Sequence, residues 1–384
     1  MSIMKKVILG AVFVFLCMCS CSKPNDEESD FLYHAHVDEV MDSVAWDDLV
    51  DSVTYIKLET NERCRIGEVN QLLVANSKLY VISNGVHCFN MEGLHLFSID
   101  QRGRAKNEYI EIRNVNIIDD KLFLYDNKLA KVLIFDSNTG AYVDRIMLPR
   151  EVAAAYGLKD KIIIDRKSIP QELLQGEGRF ILCPQMDVHD TSEGYFPEDE
   201  HKFVIAGTTS SFSRGIIYSS YFNCMAWRLT DMGCENYLRL DFSQEMKLPE
   251  SVTNQAISDR RLPKDTEDYI YGLSNIAESE KFITGRLTYA NSFAHFIYDK
   301  GSCNTKCYIS VNGKEPWLFA PISFKCGDKE SLFNIYNSDE ILIIRNILGT
   351  GTRPSGLNLR NYEIYCSEEE SDNPVVARFY LKQF

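Results

Sequence analysis

Apolar residues in this chain fall in short runs rich in β-branched and aromatic side chains, bounded by polar pairs, a pattern of strands rather than helices. The runs repeat. Lys78-Leu79-Tyr80-Val81-Ile82-Ser83-Asn84 is echoed 43 residues later by Lys121-Leu122-Phe123-Leu124-Tyr125-Asp126-Asn127, and 40 residues after that by Lys161-Ile162-Ile163-Ile164-Asp165. Weaker copies begin at Arg214, Lys281 and Glu340, which makes six. A short turn pair precedes each copy: Asn76-Ser77, Asp119-Asp120, Lys159-Asp160, Phe212-Ser213, Ser279-Glu280 and Ser338-Asp339. Asn, Asp and Ser tolerate the tight turns of hairpins, so most of these pairs read as hairpin connections. A β-prone stretch stands before each turn, and two more strands follow the copy. Lys131–Asp136, the turn Ser137-Asn138-Thr139-Gly140 and then Ala141–Leu148 show this best.

Four short strands per unit at this period predict an all-β fold, a six-bladed β-propeller with four-stranded antiparallel blades. The later offsets lengthen to 53, 67 and 59 residues, so blades three to five carry insertions, with 171–178, 187–201 and 247–268 as candidates. Radial repetition also suits a chain of 384 residues, since a single core stops growing near about 250–300. A ring must close on itself. Val53–Leu58 has no hairpin partner nearby and Val375–Leu381 ends the chain, so both are expected in the sixth blade, locking N- and C-terminal strands together.

The first residues have a different character. Lys5 and Lys6 precede thirteen uncharged residues, Val7–Cys19, too few to span a bilayer and the right length for the apolar region of a signal peptide. Met18-Cys19-Ser20-Cys21 follows, then a polar, acidic stretch to Asp30. The small residue before cysteine resembles the lipidation site of bacterial lipoproteins, with Cys21 as the lipid-bearing residue and Cys19 the second choice. The acidic stretch resembles the signal behind the lipid cysteine in surface-exposed lipoproteins of Bacteroidetes. The expected organisation is a signal peptide over 1–20, a flexible acidic tether and lead-in over 21–50, and the propeller over 51–384.

Charge narrows the partners. The chain carries a net charge of −14, and removal of residues 1–20 takes away two lysines and no acids, leaving −16. Nucleic-acid binders need a basic footprint, so no nucleic-acid partner is expected. Three of the twelve cysteines, Cys17, Cys19 and Cys21, belong to the export region. The other nine match no zinc spacing and are expected to be mostly small buried hydrophobes. Cys303 and Cys307 could close a small loop in an oxidising compartment.

Tyr55-Ile56-Lys57-Leu58-Glu59-Thr60 with Ile66-Gly67-Glu68 resembles the opening of the six-bladed propeller lipoproteins of Bacteroidetes, relatives of NHL-repeat propellers. The first inter-blade loop of that family reads G-x-x-G-x-G-P-G-E-Y. Asp100–Tyr109 keeps Gly103, Glu108 and Tyr109 but has Ala105, Lys106 and Asn107 in place of Gly, Pro and Gly. Asn107 could preserve a left-handed turn. Asn373-Pro374-Val375-Val376 fits the closing strand. The resemblance implies a fold and an envelope location, namely a lipid anchor in the outer membrane, and no settled activity.

No H-E-x-x-H, G-x-S-x-G or phosphate-loop motif is present, and no cofactor or metal is evident. His34-x-His36 puts two imidazoles on one side of an extended segment within the tether. Asp136–Gly140 is better explained as a hairpin turn than as a calcium loop. Glu368-Glu369-Glu370 with Asp372 reads as a solvated loop. The candidate ligand-binding residues are Arg102, Arg104, Lys106, Glu108 and Tyr109, because loops between propeller blades line a face near the central channel. The favoured function is a binding module for a glycan, a peptide or an envelope protein. The alternative is a metal-dependent lyase or hydrolase with His and carboxylate ligands converging in the channel, and a third reading is a structural subunit of an envelope assembly.

Overall fold

The computed structural model describes residues 31–149, 152–165, 180–183, 193–195, 204–210, 215–220, 222, 224–259, 266–312, 323–348, 359–370 and 372–384. These form six small sheets arranged as a six-bladed β-propeller. Blade I is the meander Gln71–Ala75, Lys78–Ile82, Val86–Asn90 and His95–Ile99, and blade II follows from Ile112 to Met147 in the same order. Blade III runs from Ala154 to Tyr195, blade IV from Val204 to Phe242 and blade V from Tyr271 to Asn312. The expected hairpin turns hold where they are described, except Ser338-Asp339, which opens a helix. Asn76 and Ser77 both take positive φ (51° and 56°), as a two-residue turn matched to strand twist requires, and Asp119 and Lys159 do likewise.

Blade VI closes the ring. Its sheet is Cys326–Gly327, Leu332–Tyr336, Val375–Leu381 and, outermost, Val50–Lys57. The last two pair antiparallel from Val375 opposite Lys57 to Leu381 opposite Val50, as the sequence indicates. The sixth repeat is placed differently. Glu340-Ile-Leu-Ile-Ile is not a strand but lies in a helix, Ser338–Leu348, and the blade VI strand that fills this role is Leu332–Tyr336. The reason is local. The Glu340 carboxylate accepts from the Asn337 N–H at 2.7 Å, one half of a capping box, and burial falls on Ser338 and Ile341 at helical spacing while Ile343 is exposed. With the helix Leu359–Ser367 it forms an insertion within blade VI. Of the expected insertions, 171–178 lies outside the described residues, 187–201 mostly does, and 247–268 contains the helix Glu250–Asp259.

The expected tether does not extend to residue 50. Tyr33–Val37 adds a parallel fifth strand to blade IV, and Met41–Ala45 adds one to blade V. Ala35 and Val37 are buried while His34 and His36 face out, an alternation too short to stand out in the sequence. A single helical turn, Trp46–Leu49, then buries Trp46 edge-on against Phe379 of blade VI. The segment wraps three blades before it closes the ring, covering two sheet edges that would otherwise offer unpaired backbone.

The core lies in layers between neighbouring blades. Tyr80, Leu122 and Phe135 fill the layer between blades I and II; Ile217, Tyr237 and Phe296 that between IV and V; Ile56, Leu79 and Val376 that between VI and I. Side-chain amides tie the inner strands together. Asn116 of blade II donates to Gly157 O at 2.7 Å and accepts from Gly157 N at 3.1 Å, and Gln71 clasps Val115 in the same way between blades I and II. Gly157 permits the contact, since a Cβ there would lie 2.2 Å from the Phe123 ring.

Gly157→Val is therefore expected to lower stability by roughly 1–3 kcal/mol, read as a shift of the urea midpoint with an unchanged slope. His295, buried in blade V, supplies a pH test. Burial, with Arg286 adding to it, pushes its pKa down to about 4. The unfolded chain then takes up the proton first, so this stability is complete above about pH 6.5 and is lost as pH falls toward 4, by at most about 1.4 kcal/mol per pH unit. Equilibrium unfolding across that window should show the loss, and His295→Phe should lessen it.

Candidate functional site

The loop joining blade I to blade II is built by its own residues. Tyr109 N donates to Gln101 O at 3.1 Å and Gly103 N to Tyr109 O at 2.9 Å, which draws the two ends of the loop together. The Glu108 carboxylate accepts from Ala105 N at 2.8 Å and fills the space that the absent Gly103 side chain leaves, since a Cβ there would lie 1.9 Å from Glu108 Oε2. Tyr109 is buried, with its hydroxyl directed at Asn84 O and Ile99 O (3.1 and 3.2 Å). Burial raises its pKa against the opposing effect of Arg102. Arg102 donates to Asn84 O through Nη2 and Nε (2.8 and 3.3 Å), and Lys131 holds the loop from blade II through Ala105 O at 3.0 Å. Asn107 does not take a left-handed conformation, and the tip turns instead through Glu108 N to Ala105 O.

Of the five candidate residues, Arg102, Glu108 and Tyr109 thus shape the loop. Arg104 and Lys106 project into solvent, with Lys106 Nζ 5.7 Å from the centroid of the Tyr142 ring. The structure brings the five together in one loop.

The other singled-out positions sort themselves. Cys21 and Cys19 lie outside the described residues. His34 pairs with Asp241, and His36 lies 3.3 Å from Asp38, on the outer edge of blade IV. Asp136 is a turn organiser, accepting from Asn138 N, Thr139 N and Thr139 Oγ1, and these bonds hold its carboxyl below the usual range. Glu368 is not solvated. It is buried, accepts from Ser338 Oγ at 2.7 Å and lies 3.2 Å from Lys57 Nζ, which also meets Asp372 at 2.6 Å. Burial raises the Glu368 pKa despite these partners. Lys57 is raised as well: burial alone would lower it, and the two carboxylates outweigh that. Cys303 and Cys307 are both free, the former exposed and the latter buried, and most of the nine cysteines are buried. Among the described residues, no three His, Cys, Asp or Glu ligand atoms converge on the inner strands.

Two clefts stand out. One, of about 270 Å³, lies at the rim of blade IV, where Asp241 is held by His34, Arg239 and Lys247. The other, of about 340 Å³, sits on the seam where blade VI meets blade I. The turns Asn76-Ser77 and Asp328–Glu330 form its walls, with Met91 and Arg378. Arg378 is fixed by Ser331 Oγ (2.7 Å) and Asp328 Oδ2 (3.1 Å), while Asp328 Oδ1 accepts from the N–H groups of Glu330 and Ser331. Lys329 and Glu330 stand exposed beside this fixed frame. The seam cleft therefore sets a rigid wall beside the exposed Lys329 and beside Glu330, whose carboxylate lies 3.9 Å from Arg378 Nη2. Nothing in the sequence around 328–330 announces it, because it forms only when the first and last blades meet.

Residues 34–380 match the family Domain of unknown function (DUF4934). The chain belongs to this family. No curated protein matches it. Among solved structures, it is similar to a Bacteroides fragilis protein described as exported, at 16% identity and a TM-score of 0.66, over 91% of this chain and 99% of that one. It is also similar to a member of the DUF4221 family from Bacteroides vulgatus, at 9% identity and a TM-score of 0.45, over 87% and 97% of the two chains. The first likeness shows the fold of this DUF4934 chain.

The loop geometry gives a test of its own. Gly103→Ala should expel the Glu108 carboxylate from its seat and free the Ala105 amide, at a cost of about 1 kcal/mol. Hydrogen exchange should quicken at Ala105 and Tyr109 while the strands of blade I keep their protection.

Proposed function

We propose that this protein is an exported, lipid-anchored binding module of the bacterial outer membrane, held through Cys21, which captures a glycan, a peptide or a loop of an envelope protein at the seam between blades VI and I. The observation that carries the reading is the seam cleft. Its volume falls in the range of ligand sites, its wall is fixed by Arg378 and Asp328, and the exposed Lys329 stands beside it to meet a polar ligand. The apolar run before Cys21 and the exported structural neighbour support the location. The first strand starts at the outer rim of blade IV, so a lipid on Cys21 would leave the seam uncovered. The eleven residues between Cys21 and Tyr33 reach at most about 40 Å. The strongly negative net charge argues against polyanionic partners.

Two measurements test this. Cys21→Ala should move the protein from the membrane fraction to the soluble one, and retention in the membrane would remove the anchor from the reading. Glycan and peptide libraries screened against the protein should yield a ligand whose affinity drops by roughly tenfold in Lys329→Glu, with the melting temperature unchanged. Ligands indifferent to Lys329 and Glu330 but sensitive to Arg104 would move the site to the inter-blade loop and overturn the seam as the binding surface.

A further inference from the structure

Close to the same seam, but within the protein rather than on its surface, three metal-type donors meet. Cys64 comes from the loop that follows the closing strand, His87 from the third strand of blade I and His95 from the start of the fourth. Their ligand atoms lie within 4.8 Å of one another, and among the described residues this is the one group of three or more such side chains that converges. Cys64 Sγ is 3.8 Å from His87 Nδ1. Ser98 Oγ bridges the two rings, 2.9 Å from His87 Nδ1 and 2.8 Å from His95 Nε2. Cys64 is fully buried and His87 is 4% exposed, whereas His95 is partly open to solvent and leaves a way in.

We propose that Cys64, His87 and His95 form a site for a borderline-soft divalent cation of the zinc class, which pins the ring closure to blade I. One thiolate with two imidazoles is a donor set that such ions prefer over calcium or magnesium. Bonds of about 2.0–2.3 Å at tetrahedral angles place these donors about 3.3–3.6 Å apart, so the group needs to contract by about 1.5 Å at most. The fourth position falls to water or to Ser98 Oγ, which already stands between the rings. The outer contacts suit the same role. Asn373 Nδ2 lies 3.7 Å from Cys64 Sγ and donates to Cys64 O at 2.8 Å, and Glu59 Oε2 accepts from the His95 backbone N–H at 2.9 Å. Binding exchanges the Cys64 S–H bond for a sulfur–metal bond and releases one proton to solvent, with no change of oxidation state. Nucleophilic chemistry is the weaker reading of the same residues, because burial pushes the Cys64 thiol up to about 11 and holds it protonated.

Cobalt(II) is the probe. Titrated into the reduced protein, it should bind at one equivalent, produce a thiolate-to-cobalt charge-transfer band with the strong visible bands of a tetrahedral ion, and be displaced by zinc(II). Zinc(II) should also raise the melting temperature. Cys64→Ser should abolish the charge-transfer band, and His95→Ala, at a partly exposed position, should weaken affinity by roughly tenfold or more with an unchanged circular dichroism spectrum. A control lacking the exposed thiols, Cys303→Ser with Cys366→Ser, should bind as the parent does. Absence of a one-equivalent site, or a site that survives His95→Ala and disappears in the control, would overturn the proposal. If Cys64→Ser fails to fold, His95→Ala and the control decide alone.

Discussion

The pairing of Val50–Lys57 with Val375–Leu381 is the contact on which the rest of the molecule depends. Each blade has two apolar faces and can bury them only between two neighbours. Five of the six layers could form along an open chain. The sixth, with Ile56, Leu79, Phe89 and Val376, forms only when the first and last parts of the chain meet. The protein reinforces that meeting beyond the strand ladder. Asn373 donates to Glu59 O and Cys64 O and accepts from Ile66 N, so one buried amide fixes the loop leaving the closing strand. Lys57 joins Glu368 and Asp372 beside it. Asn361 of the blade VI insertion clasps Tyr55 N and Val53 O. Such bonds between residues some 300 apart carry a loop-closure cost that many local hairpins must precede.

Closure also explains where the irregular features gather. Blades I and II are regular meanders with short turns. Blade VI borrows its outer strand from the N-terminal side, holds only two residues in its first strand and carries the helical insertion between its second and third. A seam assembled from distant pieces is not bound by the repeat, so its turns and loops are free to specialise. The cleft at Asp328–Glu330 and the Cys64 group both join residues of this junction to blade I.

The repeat was legible because a four-stranded blade imposes a fixed spacing on its hairpins, and Asn76-Ser77 and Asp119-Asp120 sit where the chain must turn. The closure was legible for a related reason: Val53–Leu58 is a strand with no local partner. Misreading began where spacing and local chemistry diverged. At Ile341–Ile344 four β-branched or branched residues in a row look like a strand, but the Asn337–Glu340 cap and the burial of Ser338 and Ile341, three apart, make a helix. The straps Tyr33–Val37 and Met41–Ala45 offer too few apolar positions to register, and their parallel partners are more than 190 residues away. The loop candidates Arg102, Arg104, Lys106, Glu108 and Tyr109 share one loop, yet charge and aromaticity do not distinguish residues that bind from residues that hold a turn. Cys64, His87 and His95 matched no spacing motif because three separate elements carry them. One signal was available: His87 and His95 stand on paired strands of one hairpin, His87 opposite Ser98 and His95 opposite Phe89, which puts the imidazoles within reach of a shared neighbour.

The two proposals at the seam bear on one another through mass action. A ligand or ion that binds the closed ring and not the open chain stabilises closure by RT ln(1 + [L]/Kd), about 2.7 kcal/mol at a concentration a hundred times Kd. Cys64 lies in the loop that Asn373 ties to blade VI, and His87 and His95 belong to blade I, so an ion among them spans the junction itself. The cleft residues Arg378 and Asp328 belong to blade VI and Asn76 and Ser77 to blade I, so a ligand there spans it again. Each would reduce the freedom of the same two blades to part. Tighter closure by one then lowers the ordering cost of binding the other, and the coupling follows from shared geometry without any change of fold.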